Sequence, residues 1–161
     1  MDYIDYEVNK NFITQFMTQE DKLFLFINAA PGTGKTHFIK NYLVDNQSAV
    51  RISMPPTGNI RDLYFLILTA CTSMPIKNQT NIQLRHTVVT MLSDFQELKL
   101  ILVDDSQNLL YGADYKHILD SLKWLAESTS TEFVFLGTHI PELPEDIARR
   151  SIIHEHYSIA I

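Results

Sequence analysis

Ala29-Ala30-Pro31-Gly32-Thr33-Gly34-Lys35-Thr36 follows the apolar run LFLFIN and leads into THFIKNYLVDN. Glycines let a backbone curl until successive N–H groups point inward, a geometry that suits phosphate oxygens. A helix beginning near Lys35 adds the positive end of its dipole at the same point. With this spacing the lysine ammonium reaches β- and γ-phosphates, and the hydroxyl after it ligates Mg²⁺. The expected phosphate-binding residues are therefore Ala30, Pro31, Gly32, Thr33, Gly34, Lys35, Thr36 and His37, with Thr36 on the metal and ATP as the ligand. Ala29 stands where the usual pattern has glycine; alanine is small and keeps the spacing.

A phosphate loop of this kind works with a carboxylate at the tip of a neighbouring strand, which holds Mg²⁺ through water. LKLILVDDSQNLL (98–110) supplies two, Asp104 and Asp105. Asp104 is the expected metal-side carboxylate. Asp105 falls where ATPases of the additional-strand class carry a glutamate that polarises the attacking water. Aspartate is shorter by one C–C bond, about 1.5 Å. Misplacement on that scale costs about a hundredfold in rate, so slow hydrolysis is expected. The pair also reads as a helix start, with Asp105 or Ser106 as the cap.

FVFLGTHI ends in Gly137-Thr138, and Thr138 occupies the strand tip where AAA+ ATPases carry sensor 1, a polar contact to the γ-phosphate or the lytic water. An ordinary strand exit is the other reading. In LPEDIARRSIIHEHY, Arg149 and Arg150 close a short helix, where cations are favourable in any protein. Alternatively one of them reaches the γ-phosphate of a neighbouring subunit as an arginine finger, which makes the active site a property of an assembly.

The elements that must position these groups are legible from periodicity. LFLFIN (23–28) and KLILVDD (99–105) are continuous apolar runs of the kind found in buried parallel strands. SAVRISM (48–54), TEFVFLGT (131–138) and SIIHEHYSI (151–159) read as three more strands. Helices are expected over 5–20, over the segment after the glycine loop with Phe38, Ile39, Tyr42 and Leu43 on one stripe, and over 59–73, 82–96 and 115–128. Strands alternating with helices predict an α/β fold: a five-stranded, mostly parallel sheet flanked by helices, in one domain spanning residues 1–161.

The chain has 161 residues, 45% of them apolar and 20% charged, as in ordinary globular proteins. Its net charge of −6 argues against a broadly basic surface for gripping nucleic acid, though not against a local patch repeated by oligomerisation. A single cysteine, Cys71, cannot pair within the chain, which fits a reducing cytoplasm. The acidic N-terminal segment MDYIDYEVNK is no secretory signal, and no apolar run approaches the roughly 20 residues that span a bilayer, so no membrane partner is expected. His37, His86, His117, His139, His154 and His156 show no metal-ligand grouping, and Trp124 reads as packing.

SMPPTGNIRDLYFLILTA, LKLILVDDSQNLLYG, ILDSLKWLAESTSTEFVFLGTHI and IARRSIIHEHY together resemble the TnsC/TniB group of AAA+ ATPases, regulators encoded by DNA transposons, over about residues 20–157. The resemblance implies Lys35 and Thr36 as the Walker A pair, Asp104 and Asp105 as the Walker B pair, Thr138 as sensor 1, and Arg149 or Arg150 near a subunit interface. It implies ATP binding with Mg²⁺, assembly as a ring or filament on duplex DNA, and recruitment or stimulation of a transposase, in some members with a target-selector protein. Two departures stand out: Asp105 replaces the usual glutamate, and the sequence stops at Ile161, without the helical lid of AAA+ proteins. DNA contact is expected from the loop PPTGNIR (55–61), through Thr57 and Arg61, and from Lys77. The competing readings are a nucleotide-gated interaction module with negligible hydrolysis and, third, a small P-loop kinase.

Overall fold

A computed structural model describes residues 6–72, 76, 78–95 and 97–155. The elements follow the expected order: α1 (Tyr6–Met17), β1 (Phe24–Asn28), α2 (Lys35–Asp45), β2 (Ala49–Ser53), α3 (Ile60–Cys71), α4 (Asn81–Asp94), β3 (Leu100–Asp104), α5 (Tyr115–Ser128), β4 (Glu132–Gly137), α6 (Glu145–Arg149) and β5 (Ser151–Glu155). The expected last strand is present from Ser151 to Glu155; its remaining residues, including His156, lie outside the described residues, as does Lys77.

The five strands form one sheet in the order β2-β3-β4-β1-β5. Every pairing is parallel, not merely most of them. The near-continuous apolar runs became interior strands: all five residues of β3 are buried, and so are the first four of β1. The less uniform stretches AVRIS and SIIHE became the two edges. Alternation along each strand builds two cores. Phe24, Phe26, Ile101, Val103, Phe133 and Phe135 pack with α3, α4, α5 and α6, and the rings of Phe26 and Phe135 stack at 4.9 Å. Leu25, Ile27, Leu100, Leu102, Val134 and Leu136 pack with α1 and α2, including the expected stripe of Phe38, Ile39 and Tyr42.

Helix starts follow from local chemistry. Asn59 accepts from the N–H of Asp62, whose carboxylate accepts from the N–H of Asn59, both at 3.0 Å. Thr80 and Gln83 repeat this reciprocal cap at α4. Trp124, expected as packing, is 39% exposed, with the Arg85 guanidinium 4.7 Å from its ring centre. A cation over the indole face lets so large a ring sit half in water. His154, on β5, stacks on Phe12 at 3.9 Å. Among the described residues no helix is long and apolar enough to cross a membrane.

At the opening of β4, Glu132 leaves one buried carboxylate oxygen without a partner, and burial raises its pKa to about 7. An acid whose folded-state pKa is raised binds more protons folded than unfolded. Its contribution is therefore fully favourable below about pH 4.5 and is lost as pH rises through 7. Glu132→Gln is expected to flatten this dependence. The gain over wild type grows from pH 4.5 and levels off above pH 7, where it reaches about 1.5 kcal/mol after discounting for the water the carboxyl keeps. Thermal melts across that range should show it as a Tm higher by about 3–6 °C at pH 8.

Candidate nucleotide site

Parallel pairing brings the C-terminal ends of β1, β4 and β3 side by side. Asn28 is in register with Gly137, and Asp104 with Leu136. Loops leaving that edge of an open α/β sheet are where ligands bind. The loop after β1 turns through Gly32 (φ 77°) and Gly34 (φ 85°), left-handed conformations that a side chain resists. Gly34 caps α2 with no side-chain hydrogen bond, which leaves the first-turn N–H groups to whatever enters. Thr33 is buried and donates to the carbonyl of Ala30 at 2.7 Å, tying the loop to itself.

Lys35 folds back along this loop. Its Nζ donates to the carbonyls of Ala29 and Ala30, each at 2.9 Å, and the residue is 8% exposed. Burial pushes its pKa down, and the carboxylates of Asp104 and then Asp105 push it back up. Thr36 donates to Oδ2 of Asp104 at 2.8 Å, so the hydroxyl and carboxylate expected on the metal meet directly. Asp104 is fully buried; its Oδ1 accepts from the N–H of Asp105 at 2.9 Å. These two oxygen donors suit Mg²⁺, which is held by few protein oxygens and completed by substrate phosphates. Among the described residues no group of three or more His, Cys, Asp or Glu side chains is placed to make a metal cage.

Asp105 sits in the left-handed region (φ 54°), which aspartate tolerates better than most residues. It precedes a short 3₁₀ turn, Ser106–Asn108, without a side-chain cap bond, so the cap reading does not hold for its carboxylate. Gly137 is indispensable in a different way. A Cβ there would collide with Oγ of Ser106 and lie 2.9 Å from Oε1 of Gln107. That close approach lets Gln107 accept from the N–H of Thr138 at 3.3 Å.

The result is a cleft of 790 Å³ lined by Pro31, Gly32, Gly34, Lys35, Thr36, His37, Asp104, Asp105 and Thr138, together with Lys40 and Gln107. Of the expected residues, Ala30 and Thr33 shape the loop from outside this lining. Lys40 and Gln107 were not singled out by the sequence; their signal is position, Lys40 one turn beyond Thr36 and Gln107 two residues beyond Asp105. Arg51 was missed as well. It lies on β2 and places Nη2 3.1 Å from Oδ2 of Asp104. A second cavity of 660 Å³ shares Gln107 and Thr138 and is lined by Thr57, Gly58, Asn108, Tyr111 and His139. Arg61, expected to contact DNA, is engaged internally. It donates to the side chains of Asn81 (3.0 Å) and Asn78 (3.2 Å) and lies over Phe65.

The arginine pair is not in this cleft. The backbone carbonyl of Arg150 accepts from the N–H groups of Leu23 and Phe24 at the opposite, N-terminal end of β1. Its side chain donates to the carbonyl of Asp21 at 2.5 Å and to Glu127 at 3.1 Å. Arg149 is exposed, and its side chain makes no hydrogen bond or ion pair among the described residues.

A glycine loop after β1, a buried carboxylate ending β3 and a strand, β4, inserted between them define a P-loop NTPase of the additional-strand class. Residues 18–145 match the family model described as the AAA domain, and the chain belongs to that family. Its fold is similar to that of the Drosophila ORC bound to AT-rich DNA and Cdc6 (TM-score 0.66, 11% identity, 93% of this chain and 53% of that one). It is also similar to the Aeropyrum pernix ORC1 protein in complex with DNA (0.62, 14%, 98% and 47%) and to Cdc6p from Pyrobaculum aerophilum (0.61, 16%, 92% and 43%). The chain thus spans about half the length of these solved proteins. No curated protein sequence matches it.

Proposed function

We propose that this protein is an ATP-dependent regulator of the transposition type: it binds ATP in the cleft, assembles with further copies of itself on duplex DNA, and recruits or stimulates a transposase. The observation that carries the assembly is the position of Arg149. It stands exposed at the end of the sheet opposite its own phosphate loop, so a catalytic role for it requires a neighbouring subunit. The TnsC/TniB resemblance supports the transposase partner. The similarity in fold to proteins solved with DNA agrees with duplex DNA as the platform.

In this reading the N–H groups of the glycine loop and of the first turn of α2 bind the phosphates, and Lys35 exchanges its two carbonyl contacts for β- and γ-phosphate oxygens. Thr36 and Asp104 would hold Mg²⁺, which when bound would supply charge neutralisation at the transferring phosphoryl group. Asp105 orients the attacking water as its general base. Thr138, steadied by Gln107, contacts the γ-phosphate or that water. The second reading, a nucleotide-gated interaction module with little hydrolysis, is favoured by the short side chain of Asp105 and by the acidic net charge of −6.

Light scattering after size exclusion, with a non-hydrolysable ATP analogue, Mg²⁺ and duplex DNA, tests the proposal. The expected outcome is growth from a small species into a large DNA-bound one only when nucleotide is present. A monomer under every condition, still binding nucleotide, overturns the assembly and leaves the switch.

A further inference from the structure

Arg51 belongs to no motif, yet it holds the most deeply buried acid of the site. Along β2, Ala49, Arg51 and Ser53 share the face that α2 covers, and parallel pairing sets Arg51 opposite Leu102 of β3. Asp104 is two residues further along the same face of β3. At this diagonal spacing, about 7 Å, a long side chain bridges two strands. The guanidinium Nη2 lies 3.1 Å from Oδ2 of Asp104, whose side chain is 1% exposed against 27% for Arg51. The same Oδ2 accepts the Thr36 hydroxyl. The oxygen that faces the expected metal ligand on α2 is thus already paired with a full positive charge. Nε of Arg51 is buried without a hydrogen-bond partner, so the guanidinium is anchored through Asp104 rather than by a network of its own.

We infer that Arg51 is a tethered counter-cation for Asp104, which neutralises the buried carboxylate before nucleotide arrives and sets how much Mg²⁺ is needed to load it. The inference rests on the nucleotide-site reading above. An unpaired carboxylate this deeply buried is strongly unfavourable, and a cation on the neighbouring strand removes that cost without waiting for an ion from solution. The same cation then opposes Mg²⁺ at Oδ2, because a positive charge within a few ångströms weakens the attraction the carboxylate offers. Arg51 is therefore a positioning residue that acts through Asp104.

The test is a Mg²⁺ titration of the binding of a fluorescent, non-hydrolysable ATP analogue, by wild type, Arg51→Met, Arg51→Gln and Arg51→Lys. Met and Gln are expected to lower the half-saturating Mg²⁺ concentration about tenfold; Lys, which keeps the charge, should stay near wild type. Gln retains an N–H within reach of Asp104, so it carries the test if the Met variant does not fold. In melts without nucleotide, Mg²⁺ alone should raise the Tm of the Met or Gln variant and leave wild type unmoved. An unchanged Mg²⁺ requirement in both neutral variants, with wild type binding nucleotide normally, overturns the inference and leaves Arg51 a structural ion pair. Wild type that binds no nucleotide at any Mg²⁺ concentration overturns the site reading instead.

Discussion

Alanine at Arg149 is expected to lower the ATP turnover of the assembled protein about a thousandfold while changing nucleotide affinity by no more than about twofold. The reasoning is geometric. Arg149 closes α6 just before β5, and β5 starts beside Phe24, the first residue of β1. The phosphate loop leaves the far end of that strand. Five residues of parallel strand span about 13 Å between first and last Cα, so the two ends of β1 cannot serve one phosphate. A guanidinium this distant does nothing for its own cleft; under the proposed assembly it would act on the next subunit's. There it would meet the γ-phosphate late, as charge develops, which is why turnover falls and binding does not. Mixing supplies the decisive measurement. Under the proposal Arg149→Ala would lack the finger and Lys35→Ala a working phosphate loop, so each alone is expected to be inactive. Mixed, sites formed from an intact loop and an intact finger should recover part of the wild-type rate. No recovery in mixtures, with both variants folded and assembling, would rule out action in trans. Arg150→Ala is expected to behave differently: its side chain ties the loop before β1 to Glu127 of α5, and its loss weakens the fold rather than the chemistry.

Lengthening Asp105 gives the second large effect, in the opposite direction. Asp105→Glu is expected to raise single-turnover hydrolysis up to about a hundredfold, because it returns the carboxylate the roughly 1.5 Å it lacks. The change should also lower stability by about 1 kcal/mol. Residue 105 is held at φ 54°, a conformation that aspartate tolerates and glutamate resists. Rate and Tm measured on the same preparation should therefore move apart. Asp105→Asn, which keeps the shape and removes the base, should abolish what hydrolysis there is. If glutamate leaves the rate unchanged, Asp105 is not the group that handles the water, and the gated-module reading gains.

These two residues also mark how far the linear chain could be read. Its local patterns were enough for the glycine loop, for the strand before it and the helix after it, and for the acidic tip of β3. Apolar runs, glycine spacing and helical stripes act between residues close in sequence, where backbone geometry alone determines who meets whom. The class of fold follows from the same patterns, since strands alternating with helices have few other ways to bury both faces of a sheet. Neighbourhoods across strands are another matter. Arg51 reaches Asp104 across 53 positions because β2 pairs with β3 in one particular register; a slip of one residue would turn it to the other face. Gln107 supports Thr138 only because Gly137 lets the two loops approach. Arg149 and Arg150 are adjacent and identical in type, and nothing local distinguishes them. Arg150, just past the end of α6, reaches the turn before β1 and Glu127 of α5, and Arg149 faces outward, because consecutive residues at a helix end point in different directions.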